Sequence, residues 1–271
     1  MMSRCDLHIH SKYSDGALSP SEIMRRLKES GIYIASITDH DTVSGLEEAK
    51  CAAIKYGITF IDGIEISSYK KGFGEIHILG YGINVDDEAF KSELVKIKNL
   101  RKERIAKIFD KLKDNGIEFD EEKKKSARGR VDVAYMLKNA KYVETVNEAF
   151  DKWLGKNGKA YVDAVRADTL DAVRIIKSAG GVPVFAHPLR TCDADELNAI
   201  LPELTHAGLM GLEVYYPSHN DDMRRIITEY ATRYNLVKTG GSDFHTDASA
   251  VKLGDGDGVL DEDALQIILK K

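Results

Sequence analysis

A chain of 271 residues, 43% hydrophobic and 31% charged, has the make-up of an ordinary globular protein with enough length to bury a large core. A formal net charge of −5 argues against a chain that is basic throughout, though it leaves room for a local basic patch, and no apolar stretch approaches the roughly 20 residues of a membrane span. Cys5, Cys51 and Cys192 are odd in number, scattered and outside any CxxC pair; they read as small buried residues in a reducing compartment. The first strand begins almost at the first residue and leaves no room for a signal peptide, so a cytoplasmic location is expected.

Apolar runs and helix signals alternate along the chain. CDLHIH is the first strand, and Ser19-Pro20-Ser21-Glu22 is a capping box with proline at the first helical position, predicting a helix through about Ser30. Gly31 ends it, and IYIASIT follows as a buried strand. A helix from Ser44 to Tyr56 stops at Gly57; ITFIDGIEI and GEIHILGYGI supply a third and a fourth strand. From Asp87 to Tyr161 only helical periodicity is present: Leu94, Ile97, Ile105, Ile108 and Leu112, then Val133 to Leu137 and Val146 to Leu154. The alternation resumes at Asp168 with a helix to Ala179, strand VPVFAHP, a helix over Asp193 to Thr205, strand GLEVYYP, a helix to Tyr234, strand LVKTGGSD and a last helix near Asp261.

About seven strands joined mostly through helices favour a parallel sheet. The expected fold is α/β: a barrel formed by residues 1–86 and 162–271, with residues 87–161 as a helical insertion covering its mouth. A barrel is preferred over an open sheet because candidate ligands come from nearly every strand, whereas an open sheet would cluster them at one switch point.

Those ligands are His8, His10, Asp15, His40, Glu65, His77, His187, Asp243 and His245, each at or just past the end of an apolar run. Six of the eight histidines fall in the set, which scattered surface histidines would not do. His8 and His10, two apart on a strand, point to one face and can grip one ion; Asp243 and His245 repeat the spacing. His40 lies in TDHD, where Asp39 and Asp41 either make a polar turn or orient the imidazole. Glu65 ends an apolar strand, where an unpaired carboxylate is costly and a metal partner relieves it. His77 and His187, flanked by apolar residues, would alone read as core histidines; within the set they read as ligands. Together the nine describe a multinuclear metal hydrolase whose nitrogen and oxygen donors suit Mn, Fe or Zn.

Outside the set, His206 reads as a surface residue, and His219, after VYYPS, is placed to reach the mouth without binding metal. Arg190 follows His187-Pro188 at the rim, and Arg130 opens a helix in the insertion. Both suit bidentate phosphate binding, and both could equally be solvated. Between Lys96 and Lys113 eight Lys or Arg stand against two acids, a helix that either steers a polyanion or is simply a solvated face.

HIHSKYSDG, ITDHDTVSG, GIEIS, IHILGY, FAHPLR and GGSDFH, in this order over about two-thirds of the chain, resemble the PHP (polymerase and histidinol phosphatase) domain phosphoesterases. GRVDVAYML and VYYPSHN further resemble the subfamily of 3′,5′-nucleotide phosphatases and 5′-to-3′ exoribonucleases. The resemblance implies a distorted (β/α)7 TIM-like barrel with three divalent metal ions. It assigns His8, His10, Glu65 and Asp243 to one ion, His77 and His187 with bridging Glu65 to a second, and Asp15, His40 and His245 to a third. It places Arg130, Arg190 and His219 around the substrate phosphate. Val131 and Asp132 depart from the proline and histidine common after the GR pair, so the substrate preference need not follow the subfamily.

The chemistry expected is in-line attack of a metal-bridging hydroxide on a phosphomonoester, with the arginines stabilising the equatorial oxygens and His219 a candidate acid. The expected substrate is a small nucleotide, a nucleoside 3′,5′-bisphosphate, with short single-stranded RNA as an alternative polymer substrate and no membrane or obligate protein partner. Histidinol phosphate hydrolysis should lack the GR-containing insertion. A metal-dependent amidohydrolase would need fewer ligands, and a non-catalytic binding domain would have lost some of them.

Overall fold

The order of apolar runs and helix caps along the chain is realised in the computed structural model, which describes residues 3–127, 129–163, 166–255, 259–260 and 262–269. In chain order the elements are β1 (Ser3–Asp6), α1 (Pro20–Glu29), β2 (Ile34–Ile37), α2 (Leu46–Tyr56), β3 (Thr59–Lys70), β4 (Gly74–Tyr81) and α3 (Glu88–Asp114). Then come α4 (Glu121–Ser126), α5 (Arg130–Asn139), α6 (Val146–Ala149), a π-helical turn (Phe150–Leu154), β5 (Ala167–Asp168), α7 (Thr169–Ser178) and β6 (Val182–Phe185). The rest are α8 (Pro188–Thr191), α9 (Ala194–Ala207), β7 (Gly211–Tyr215), α10 (Asp221–Arg233), β8 (Val237–Gly240), β9 (Val259–Leu260) and α11 (Glu262–Leu269). The last helix thus starts where expected, although Asp261 itself lies outside the described residues.

Local chemistry sets the boundaries. The Ser19 hydroxyl accepts from the Glu22 amide at the start of α1 (3.2 Å), and Gly57 ends α2 in the left-handed conformation. The chain divides into two compact units, residues 1–94 with 167–271, and residues 95–166.

In the first unit the strands run β8-β7-β6-β4-β3-β2-β1, with β9 antiparallel on β1 and β5 paired to the end of β3. The segments beyond β1 and β8 join the two ends of this path. Leu7 N–H donates to Gly240 O (3.2 Å), Asp243 N–H to His8 O (2.7 Å) and His10 N–H to Phe244 O (3.0 Å). Gly240 and Gly241 allow the approach, since a Cβ on Gly241 would lie 2.4 Å from the His8 Cβ.

The sheet is not all parallel. β4 is antiparallel to both β3 and β6, with Glu65 opposite Leu79 and Ser67 opposite His77. Only residues 71–73 separate β3 from β4, enough for a hairpin but far short of the crossover that parallel strands need. The fold is therefore a distorted α/β barrel in which β4 runs against both of its neighbours. Leu7, Ile34, Ile61, Leu79, Tyr81, Val184 and Ala186 form one core cluster, while Ile9, Ile23, Leu27, Ala35, Ile37 and Ala49 pack α1 and α2 onto β2. No helix among the described residues is long and apolar enough to cross a membrane.

The second unit has its own core of Ile105, Ile108, Leu112, Phe119, Val133, Leu137 and Leu154. Arg104, from the basic run of α3, is buried and donates to Val162 O (3.1 and 3.0 Å), so it does not add to an exposed basic face. Asp132 caps its own helix, accepting from the Gly129 amide at 3.1 Å.

Candidate metal centre

Glu65 stands at the middle of the site. Fully buried on β3, it lies within reach of five imidazoles. Its Oε2 is 3.4 Å from His8 Nε2 and 3.1 Å from both His10 Nε2 and His40 Nδ1; its Oε1 is 2.9 Å from His77 Nδ1 and 3.4 Å from His187 Nε2. Asp243 Oδ1 faces the same two nitrogens of His8 and His10, at 3.3 and 3.1 Å. Asp15 lies 3.7 Å from His10, 3.8 Å from His40 and 3.4 Å from His245.

All nine residues drawn from the strand ends fall into four overlapping groups whose donor atoms lie within 4.8 Å of one another. They are His8, His10 and Asp243; His8, Glu65 and His187; His40, Glu65 and His77; and His10, Asp15, His40 and His245. Two placements differ from a simple strand-end rule. Glu65 sits within the long β3, and His77 lies in the first half of β4. Because β4 returns from the hairpin, its beginning comes back beside the body of β3 rather than ending a parallel strand.

The electrostatics favour cations. Burial alone would raise the Glu65 carboxyl, but His40, His77 and His8 outweigh it and hold it well below the usual carboxylate range. Asp243 and Asp15 are held down against burial in the same way, by His8 and His10 and by His40 respectively. Several buried atoms here have no hydrogen-bond partner: His8 Nε2, both nitrogens of His10, Glu65 Oε2 and His187 Nδ1. Buried unsatisfied donors and acceptors are costly and rare, and this convergence of nitrogen and oxygen atoms fits divalent metal ions.

Buried side chains hold the cluster from behind. Asp39 accepts from Ser11 N–H (2.7 Å), Ser11 Oγ (2.6 Å) and Ser14 Oγ (2.6 Å), fixing the turn that presents Asp15. It thus acts on that loop rather than on the neighbouring imidazole. Asp41 accepts from Ser67 N–H at 2.9 Å. Glu213 and Tyr216, on and just after β7, do not announce themselves at strand ends. Glu213 is fully buried and accepts from His8 Nδ1–H at 2.9 Å and from His187 N–H at 2.7 Å. Its only trace in the sequence is one carboxylate in the otherwise apolar GLEVYY. The Tyr216 hydroxyl donates to Asp243 Oδ2 at 2.9 Å, leaving Oδ1 to the histidines, and accepts from Arg190 Nη1.

Arg190, on α8, keeps a 61% exposed side chain beside the cluster, 3.6 Å from Asp243 Oδ2. His219 is buried; its Nδ1–H donates to Val214 O (3.0 Å), its Nε2 has no partner, and its ring lies 5.1 Å from that of Tyr216. Arg130 opens α5 in the second unit, its guanidinium 5.6 Å from the centre of the Phe150 ring. His206 is exposed in the last turn of α9.

Comparison with known proteins places this arrangement. Residues 6–162 match the PHP domain. The chain is 34% identical over 259 residues to a 5′-3′ exoribonuclease of Haemophilus influenzae, covering 94% of each chain. It is 34% identical over 252 residues to a 3′,5′-nucleoside bisphosphate phosphatase of Chromobacterium violaceum, covering 90% of this chain and 88% of that one. A crystal structure from Bifidobacterium adolescentis, assigned to the metal-dependent phosphoesterases, superposes with a TM-score of 0.85 at 26% identity over 98% of this chain and 96% of that one. The chain belongs to the PHP domain family and is a metal-dependent phosphoesterase.

Proposed function

We propose that the enzyme hydrolyses a phosphomonoester of a small nucleotide, a nucleoside 3′,5′-bisphosphate. The observation that carries this is Glu65 amid five imidazoles, with buried atoms of His8, His10, His187 and Glu65 itself unsatisfied, beside an exposed Arg190. The likeness to the Chromobacterium enzyme supplies the substrate class.

Three divalent ions, Mn, Fe or Zn, would be held by His8, His10, Glu65 and Asp243, by Glu65, His77 and His187, and by Asp15, His40 and His245. Such ions supply positive charge that offsets the repulsion between a phosphate ester and hydroxide, and they lower the pKa of water toward neutrality.

The chain's own groups do the rest. Arg190 binds the phosphate oxygens through paired N–H groups, and the resemblance carried by GRVDVAYML gives Arg130 the same task. Tyr216 keeps Arg190 directed at the site and Asp243 turned to the histidines. Burial lowers the pKa of His219, and with Nδ1–H committed to Val214 its Nε2 is the atom that meets the substrate, where a proton on it would serve the leaving group. Cys5, Cys51 and Cys192, none of them in a disulfide, fit a reducing cytoplasm.

The test is phosphate release by the manganese-loaded protein from adenosine 3′,5′-bisphosphate, histidinol phosphate and a short 5′-phosphorylated RNA. Release from the bisphosphate, abolished by His8→Ala and weakened roughly 100-fold by Arg130→Ala, is expected from losing a ligand and a charge-assisted phosphate contact. No turnover of any of the three by metal-bearing protein would sink the nucleotide reading. Faster shortening of RNA from its 5′ end would establish the second reading, which the Haemophilus relative and the basic helix α3 favour.

A further inference from the structure

We infer that Glu213 is the positioning residue that sets His8 and His187 as one unit, fixing the ring of the first and the backbone of the second for metal binding. The inference rests on the reading of these histidines as ligands.

Each Glu213 oxygen has its own task. Oε1 accepts from His8 Nδ1 at 2.9 Å. A carboxylate can only accept there, so the hydrogen of a neutral His8 belongs on Nδ1 and the lone pair on Nε2, the atom that faces Glu65 and Asp243. Oε2 accepts from the His187 amide at 2.7 Å. His187 has φ 34° and ψ 54°, a left-handed conformation that a residue with a Cβ adopts only when its surroundings hold it there. That turn aims Nε2 at Glu65 Oε1, and the His8 and His187 rings stack with centroids 5.7 Å apart. A single side chain on β7 thus aligns ligands that follow β1 and β6 by two residues each.

Glutamine in this place cannot serve both partners. If its oxygen faces the His187 amide, its NH2 group faces His8 Nδ1 and drives the ring hydrogen to Nε2, where the lone pair is needed. If its oxygen faces His8, two N–H donors meet at His187. Either way one ligand is lost while shape and volume are kept.

The test compares the full-length chain with Glu213→Gln and Glu213→Asp, stripped of metal and titrated with Co²⁺. The readouts are d–d absorption, bound equivalents, melting temperature with and without metal, and the ¹⁵N–¹H long-range spectrum of the histidine rings. The expected result is a metal-free melting temperature near that of the parent, a Co²⁺ affinity lower by roughly 10- to 100-fold, and a smaller rise in melting temperature on metal addition. His8 should change from Nδ1–H to Nε2–H, or the signal of His187 should shift in its place. Glu213→Asp keeps the charge but is one methylene short of spanning both partners, so it should show the same loss and stands in if the glutamine variant does not fold. Parent-like Co²⁺ affinity and spectrum in the folded variants overturn the role. Failure of the parent itself to bind Co²⁺ overturns the ligand reading instead.

Discussion

At the scale of single residues, the same burial that serves the centre also decides which thiol reacts. Cys192, buried behind α8, has its thiol pushed up to about 12, by desolvation first and then by Glu196 and Asp193. The thiolate is the nucleophile, so raising the pKa removes it: at pH 8 roughly one Cys192 in ten thousand is ionised. Cys51 stands exposed on α2, and Cys5 is buried. Iodoacetamide at pH 8 should therefore add one adduct per folded chain, at Cys51, with the other two sites alkylated only after unfolding. Peptide mass spectrometry reads this directly, and alkylation of Cys192 in the folded protein as fast as Cys51 would contradict it. Tyr216 belongs to the same scale. Burial and Asp243 push its hydroxyl above its ordinary value, so it stays a proton donor to Asp243 across the whole working range of pH.

At the scale of elements, the junction after β8 is the sensitive point. A Cβ on Gly241 would meet His8 Cβ and N at 2.4 Å, contacts that only backbone movement can relieve. Gly241→Ala should lower stability by about 1–3 kcal/mol, the usual cost of overpacking, and disturb His8 with it. Chemical denaturation with and without Co²⁺ measures both; an unchanged midpoint would mean that the two segments can part freely.

The elements also show what the sequence could disclose. Potential ligands at or just past the ends of apolar runs drew out nine residues which the fold brings together. The direction of β4 was not legible, because a strand reads alike in either sense; only the short stretch 71–73 pointed to a hairpin. Glu213 was hidden for a related reason. It lies inside a strand, and its partners are a ring nitrogen 205 residues away and a backbone amide that no side-chain pattern records. Asp39 looked like an orienter of His40 by adjacency, yet its oxygens turn to Ser11 and Ser14.

At the scale of the whole molecule, charge is segregated. Residues 95–166 hold 19 of the 39 Lys and Arg but 12 of the 44 Asp and Glu, a net of +7, which leaves −12 on the remainder. Exposed Tyr135 and Tyr142 lie in the basic unit. Binding of a polyanion to such a unit releases counterions, with a slope of roughly −0.7 per phosphate contacted on single strands. From 50 to 200 mM NaCl, the affinity of metal-free protein for a 12-nucleotide RNA should fall at least about 10-fold, while the KM for adenosine 3′,5′-bisphosphate should change only about 2-fold. Fluorescence anisotropy and phosphate release decide it. Equal salt dependence for both ligands would mean that the basic unit plays no part in holding a strand.

The closure of β1 onto β8 has a consequence in time. His8 and His10 leave the ribosome early, but Asp243, which faces both of them, follows more than 230 residues later. At about 5–20 residues per second that interval is some 10–50 seconds, during which the early imidazoles have no carboxylate from the far end of the chain. With the ligand set proposed above, nascent protein would hold metal only loosely until the last barrel strand docks, coupling loading of the complete centre to the slow, long-range step of folding.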